Sequence, residues 1–254
     1  MPTMGNGVQL YTLRDLTAKS FVRTVNAVAK IGYASVELAG YGDLKTPQEV
    51  KKALDDAGLK SPSGHWSIDV LEKEVERVKD EAQLLEMEAV VVPYLAEERR
   101  KDADGYKRTA ELLNEIGNAF HGVGIELAYH NHSFEFEKFD GKYGLDILYE
   151  NTMPHLVVAE IDVYWVKHGG VDPTAYIEQL AHRVRILHLK DMGPAPEQRF
   201  AEVGTGSIDF KPILAAAEKH GVRWGHVEQD QTYETPPLDA IRTSFENLKK
   251  LGAV

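Results

Sequence analysis

Eight times along this chain a short strand-like run gives way to a longer helical stretch, and that recurrence restricts the fold more than any other feature. The runs lie at 7–11 (GVQLY), 34–38 (ASVEL), 61–66 (SPSGHW), 89–93 (AVVVP), 125–130 (IELAYH), 156–161 (LVVAEI), 185–189 (RILHL) and 224–228 (WGHVE). Several are nearly continuous in apolar residues, as parallel strands covered on both faces are. Between them, Leu71, Val75, Val78, Ala82 and Leu85 step by four and three residues along one helical face, and so do Leu238, Ile241, Phe245, Leu248 and Leu251. Phe21, Val25, Val28 and Ala29 make a shorter version, and Gly32, Gly58 and Gly221 stand where left-handed caps would end three of the helices. Strands alternating with helices build βαβ units on a parallel sheet. Eight units in 254 residues fit an α/β fold of the (β/α)8 TIM barrel type. An open doubly wound sheet is the competitor, but no G-x-G-x-x-G follows the first strand and no P-loop is present. Without a linker or low-complexity segment, residues 1–254 read as a single domain.

In such a barrel the chemistry sits at the C-terminal ends of the strands. Those ends carry Gln9, Tyr11 and Arg14; Glu37 and Tyr41; His65; Tyr94; His130, His132 and Glu135; Asp162 and Trp165; His188, Lys190 and Asp191; and Glu228 and Asp230. Polar strand ends alone are unremarkable, since strands must leave for solvent, and each residue has that plain reading. His, Asp, His and Glu on four successive strands go further, because imidazoles and carboxylates meeting at one point suit a divalent cation. A sulfur-free N/O set suits Mn²⁺, Mg²⁺, Co²⁺, Fe²⁺ or Zn²⁺ alike.

Other features are weaker. His130 and His132 alternate and so share one side of their strand. The stretch 191–209 is the longest irregular piece, and its Gly204-Thr205-Gly206 reads either as an anion-binding turn or as a tight turn with no ligand. Asp209 is placed to cap the next helix. The run 97–104 (EERRKDAD) reads as a solvated loop and helix start, and Trp165 as a stacking platform or a barrel-top closure.

Composition narrows the function classes. With 29 Lys and Arg against 40 Asp and Glu, the net charge of −11 disfavours a phosphate backbone as partner. The absence of cysteine removes disulfides, thiol nucleophiles and thiolate metal sites. No run of about 18 apolar residues reads as a membrane span, and residues 1–10 do not read as a secretory signal. The expectation is a cytoplasmic protein acting on a small molecule, with no nucleic-acid or membrane partner and with homo-oligomer formation left open.

The segments GVQLYTLRD, VELAGYG, SGH, YHNHSFEF, EIDVYWVKHGGVDP, RILHLKDM, EVGTGSIDF and HVEQD together resemble the xylose isomerase-like barrels of the sugar phosphate isomerase/epimerase family. That superfamily includes ketohexose 3-epimerases, inosose dehydratases and 3-dehydroshikimate dehydratases. The resemblance implies one divalent metal ion held by His130, Asp162, His188 and Glu228. It departs at His130, where many members carry a Glu that pairs with the last Glu to act on opposite faces of the substrate. It implies that Glu228 acts as base, that His132 or Glu135 serves the other face, and that Lys190 holds a hydroxyl or a phosphate of a sugar or sugar phosphate, or steadies an enolate. Gln9, Glu37, His65, Trp165 and Glu202 would line a sugar pocket. The chemistry implied is enolisation. Reprotonation gives an isomerase or epimerase, the first reading. Loss of a β-leaving group gives a lyase or dehydratase on a keto-sugar or keto-cyclitol, the alternative, and a carbohydrate-binding barrel without catalysis is the third.

Overall fold

The computed structural model describes residues 4–253. All eight runs form strands: β1 (Gly5–Gln9), β2 (Ser35–Leu38), β3 (Lys60–His65), β4 (Ala89–Val92), β5 (Glu126–His130), β6 (Val157–Asp162), β7 (Val184–Leu189) and β8 (Trp224–Val227). Each pairs in parallel with its neighbours in sequence, and β8 closes onto β1. The product is a single-domain (β/α)8 barrel. The largest shift from the sequence reading is in β1. The side chain of Gln9 accepts the Tyr11 amide, and residues Leu10–Leu13 turn into a 3₁₀ helix instead of extending the strand.

The helical faces are as expected. Leu71, Val78 and Ala82 are buried on the helix Ile68–Leu84, and Ile241 and Leu248 on the helix Pro237–Lys250. Gly58 and Gly221 end their helices in the left-handed conformation, and Gly32 ends its helix at a φ of 120°. Asp209 caps the helix Phe210–His220 by accepting the Lys211 amide. Among the described residues no helix is long and apolar enough to cross a membrane.

The inside of the barrel positions the site. Side chains alternate along a strand, so every second residue points to the axis. Ala128 and His130 on β5, Val158, Glu160 and Asp162 on β6, and Trp224 and His226 on β8 are three such rows. A small apolar plug of Ala89, Val91, Ala128, Val158 and Ile186, with Trp224 against it, fills the lower barrel. Above that plug the inward positions turn polar. Gly7 makes room for this layer: a Cβ there would lie 2.4 Å from the His226 ring and 2.4 Å from Ser35 Oγ.

Candidate active site

The polar layer has a floor and a mouth. Glu37 is the centre of the floor and is fully buried. Its Oε1 accepts from Gln9 Nε2 at 2.6 Å and lies 2.7 Å from His188 Nε2 and 3.0 Å from His65 Nε2, while its Oε2 accepts from Ser63 Oγ at 2.5 Å. Glu160 stands beside it, also fully buried. Its Oε1 is 3.0 Å from His65 Nε2, 3.0 Å from His130 Nδ1 and 3.1 Å from His188 Nε2. Burial and Glu160 push the Glu37 carboxyl up, but the imidazoles of His65, His188 and His226 outweigh them and hold it at about 2. Burial likewise works against the His65 imidazolium, yet Glu37 and Glu160 raise it to about 10.

The mouth is built where β5 to β8 end. Asn131 ties β5 to β6: its Oδ1 accepts the Asp162 amide and its Nδ2 donates to the Asp162 carbonyl. Asp162 Oδ1 accepts the Trp165 amide and so caps the helix Val163–His168. Its Oδ2 is 3.0 Å from Lys190 Nζ and 3.9 Å from His188 Nδ1, but is buried without a directed hydrogen bond. Glu228 Oε2 lies 3.0 Å from His188 Nδ1 and 2.7 Å from Lys190 Nζ, and the same ammonium reaches Asp230 Oδ2 at 2.7 Å. Lys190 is fully buried. Against burial, Asp162, Glu228 and Asp230 hold its pKa well above that of an ordinary lysine. Lys190 and His188 in turn keep Glu228 well below the usual carboxylate range, although burial opposes them.

Three overlapping groups of side chains in this layer have the geometry to hold a metal ion. They are His65, His130, Glu160 and His188; Glu37, Glu160, His188 and His226; and His130, Asp162, His188 and Glu228. Within each group the donor atoms all lie within 4.8 Å of one another. The third is the set that the family resemblance implies.

Of the residues expected from the sequence, Gln9, Glu37, His65, His130, Asp162, His188, Lys190 and Glu228 come together here. His132 and Trp165 form an aromatic wall beside them, ring centroids 5.3 Å apart, with Phe134 stacked on His132 and Phe200 against Trp165. Burial, reinforced by the Lys190 ammonium, drives the His132 pKa to about 2, so the ring is neutral, and its Nδ1 has no partner. Glu135 does not join the group. It lies on the helix side of β5, where it accepts from the Tyr129 hydroxyl at 2.6 Å and the His132 amide at 2.8 Å. Glu202 sits in the loop after β7, held through its carbonyl, which accepts from Thr205. The Gly204–Gly206 turn does bind an anion, but one of the chain's own. Asp191 Oδ2 accepts the amides of Gly204 and Gly206, and its Oδ1 accepts those of Met192 and Ile208.

Glu160 and His226 escape a reading confined to strand ends, since each stands two residues before an end residue on the same inward face. Their signal was there: a glutamate inside the apolar run VVAEI and a lone imidazole inside WGHV. Beside His65 a cleft of about 250 Å³ opens between Leu38, Tyr41 and Trp66. Beside Asp230 a second hollow of about 460 Å³ is lined by Arg14, Thr12 and Tyr233.

A family described as the xylose isomerase-like TIM barrel matches residues 25–251. The chain belongs to that family. It is 25% identical to an inosose dehydratase of Clostridium beijerinckii over 272 residues, covering 91% of this chain and 87% of the relative. A solved structure of a sugar phosphate isomerase/epimerase from Parabacteroides distasonis superposes with a TM-score of 0.88 at 25% identity, covering 100% of this chain and 96% of that one. A structure of the IolI protein with a bound zinc atom superposes with a TM-score of 0.78 over 98% of both chains, and at 16% identity that likeness is one of fold. The family is one of enzymes, and the proteins similar to this chain carry the names of a lyase and of an isomerase/epimerase.

Proposed function

We propose that the chain is a divalent-metal-dependent lyase that enolises a keto-sugar or keto-cyclitol and expels a β-hydroxyl as water. The observation that carries this reading is the convergence of His130, Asp162, His188 and Glu228, with donor atoms within 4.8 Å of one another. The N/O donor set fits Mn²⁺, Mg²⁺, Co²⁺, Fe²⁺ or Zn²⁺. Asp162 Oδ2, buried without a directed hydrogen bond, is an atom that a cation would satisfy. When bound, such an ion supplies Lewis acidity that stabilises negative charge on a substrate oxygen.

The chain's own groups divide the remaining work. Glu228 is held ionised, the state needed to accept the α-proton. Lys190 keeps its proton, so it serves as a fixed positive donor to a substrate oxygen and not as a base. Once protonated, Glu228 can return that proton to the β-hydroxyl on the same face. The C–H and C–O bonds break, a C=C bond forms, water leaves and the carboxylate is restored. One acid/base group suffices for this syn elimination, whereas epimerisation needs a group on each face. His130 occupies the position of the second carboxylate, and Glu135 is engaged by Tyr129. The dehydratase activity named for the curated relatives supports the same branch. Gln9, Glu37 and His65 set the floor beneath the substrate, Trp165 and His132 wall one side, and Glu202 belongs to the loop at the rim.

Isomerisation or epimerisation is the second reading. It is favoured by the similarity to the Parabacteroides structure and by the neutral His132 ring, whose unpartnered Nδ1 is available to serve a second face. Incubation of the Mn²⁺-loaded protein with keto-cyclitols and keto-sugars in deuterium oxide separates the two. Loss of water, read as an unsaturated ketone by mass and ultraviolet absorbance, is the expected result. Glu228→Gln should slow it by about 10²–10⁴-fold. An isomeric sugar carrying solvent deuterium without dehydration would establish the second reading, and neither product across the panel would leave a carbohydrate-binding barrel.

A further inference from the structure

We propose that Glu160 is a positioning residue that fixes which ring nitrogen His130 and His188 each present at the barrel mouth. This rests on the metal-dependent reading above and deepens it. An ionised carboxylate only accepts hydrogen bonds, so a ring nitrogen that faces it is the one carrying the proton. Glu160 Oε1 faces His130 through Nδ1 at 3.0 Å and His188 through Nε2 at 3.1 Å. The second of these nitrogens is shared with Glu37 at 2.7 Å, another pure acceptor.

With an ion held at the mouth, the ligating lone pairs would therefore fall on the opposite nitrogens, His130 Nε2 and His188 Nδ1. The second of these is the nitrogen that meets Glu228 Oε2 at 3.0 Å and Asp162 Oδ2 at 3.9 Å. Without an ion the same rule puts a proton on Nδ1 as well; an ion among Nδ1, Glu228 and Asp162 would take that proton's place, and Glu160 and Glu37 then hold the remaining proton on Nε2. The strand sets this up. Glu160 precedes Asp162 by two residues on the inward face of β6, so one strand places a direct ligand and the group that orients two others. Partners of this kind, behind ligating histidines, typically contribute about 10–100-fold in metal affinity.

Glu37 accepts from Gln9 and Ser63 and lies against two imidazoles. Glu160 enters the inner groups with an Oε1 that already faces three imidazoles and an Oε2 that is buried without a hydrogen-bond partner, so a metal titration separates a ligand from a positioning residue.

The test titrates Mn²⁺ into wild type, Glu160→Gln and Asp162→Ala, following free Mn²⁺ by electron paramagnetic resonance. In parallel, the histidine tautomers of the Zn²⁺-loaded wild type are read from ¹⁵N-labelled rings. Expected are one tight ion in wild type, none in Asp162→Ala, and about 10–100-fold weaker binding in Glu160→Gln, with Nδ1–H on His130 and Nε2–H on His188. Unchanged affinity in Glu160→Gln, while Asp162→Ala loses the ion, would overturn the positioning role and leave the metal reading standing. Loss as complete as in Asp162→Ala would make Glu160 a ligand and overturn it too. The opposite tautomer on either wild-type ring would do the same even if the variant failed to fold. A wild-type chain that takes up neither ion overturns the metal reading, and this proposal with it.

Discussion

At Glu135 a carboxyl group is enclosed behind β5, bonded by one tyrosine hydroxyl and one amide, and burial pushes its pKa from about 4.5 up to about 7. An acid whose pKa rises on folding binds more protons folded than unfolded between those two values. Its contribution to stability is therefore complete below about pH 4.5 and disappears as the pH rises through about 7. The shift corresponds to roughly 3 kcal/mol. Urea unfolding of wild type and Glu135→Gln across this window should show wild type losing stability relative to the variant as the pH rises. Parallel pH profiles would contradict the assignment. The same residue marks a boundary of sequence reasoning. The YHNHSFEF segment places Glu135 close to the mouth in sequence. It lies five residues beyond the end of β5, where a turn of 3₁₀ helix has broken the alternation, and no period tells which way a side chain points.

Within a strand that period holds, and it makes the strand the unit in which this site was written. The rows Val158, Glu160 and Asp162, then Ile186, His188 and Lys190, then Trp224, His226 and Glu228 each climb from apolar plug to polar floor to mouth. Eight strands, their parallel order and the polar side chains that meet at the mouth were legible because buried parallel strands leave so strong an apolar signature. The floor was not, because attention to strand ends passes over a residue two places earlier on the same face. Gly7 is the element-scale counterpart on β1, the place where backbone gives way to the His226 ring. Gly7→Ala puts a methyl group 2.4 Å from that ring and from Ser35 Oγ. The backbone and ring must part, at a cost of about 1–3 kcal/mol. A lower urea midpoint with an unchanged slope is the expected observation, and an unchanged midpoint would mean that the floor yields freely.

For the molecule as a whole, an acidic chain of net charge −11 encloses five carboxylates, Glu37, Glu160, Asp162, Glu228 and Asp230, in one layer with a single lysine. On the metal-dependent reading proposed above, a divalent ion in that layer would bind the folded chain and not the unfolded one, and would raise stability by mass action, by about 2.7 kcal/mol at a hundredfold excess over Kd. Thermal unfolding should therefore move upward on adding Mn²⁺ and return with chelator in wild type, and should not respond in Asp162→Ala. Equal responses in both would place the ion elsewhere. The loop after β7 bears on which molecules the barrel admits. Gly206 has no room for a side chain, since a Cβ would lie 2.3 Å from the Met192 carbonyl, and the amides gathered around it already enclose Asp191. A cradle that would otherwise suit a phosphoryl group thus carries a permanent, covalently tethered guest, and a phosphorylated sugar would gain no foothold there over its free counterpart.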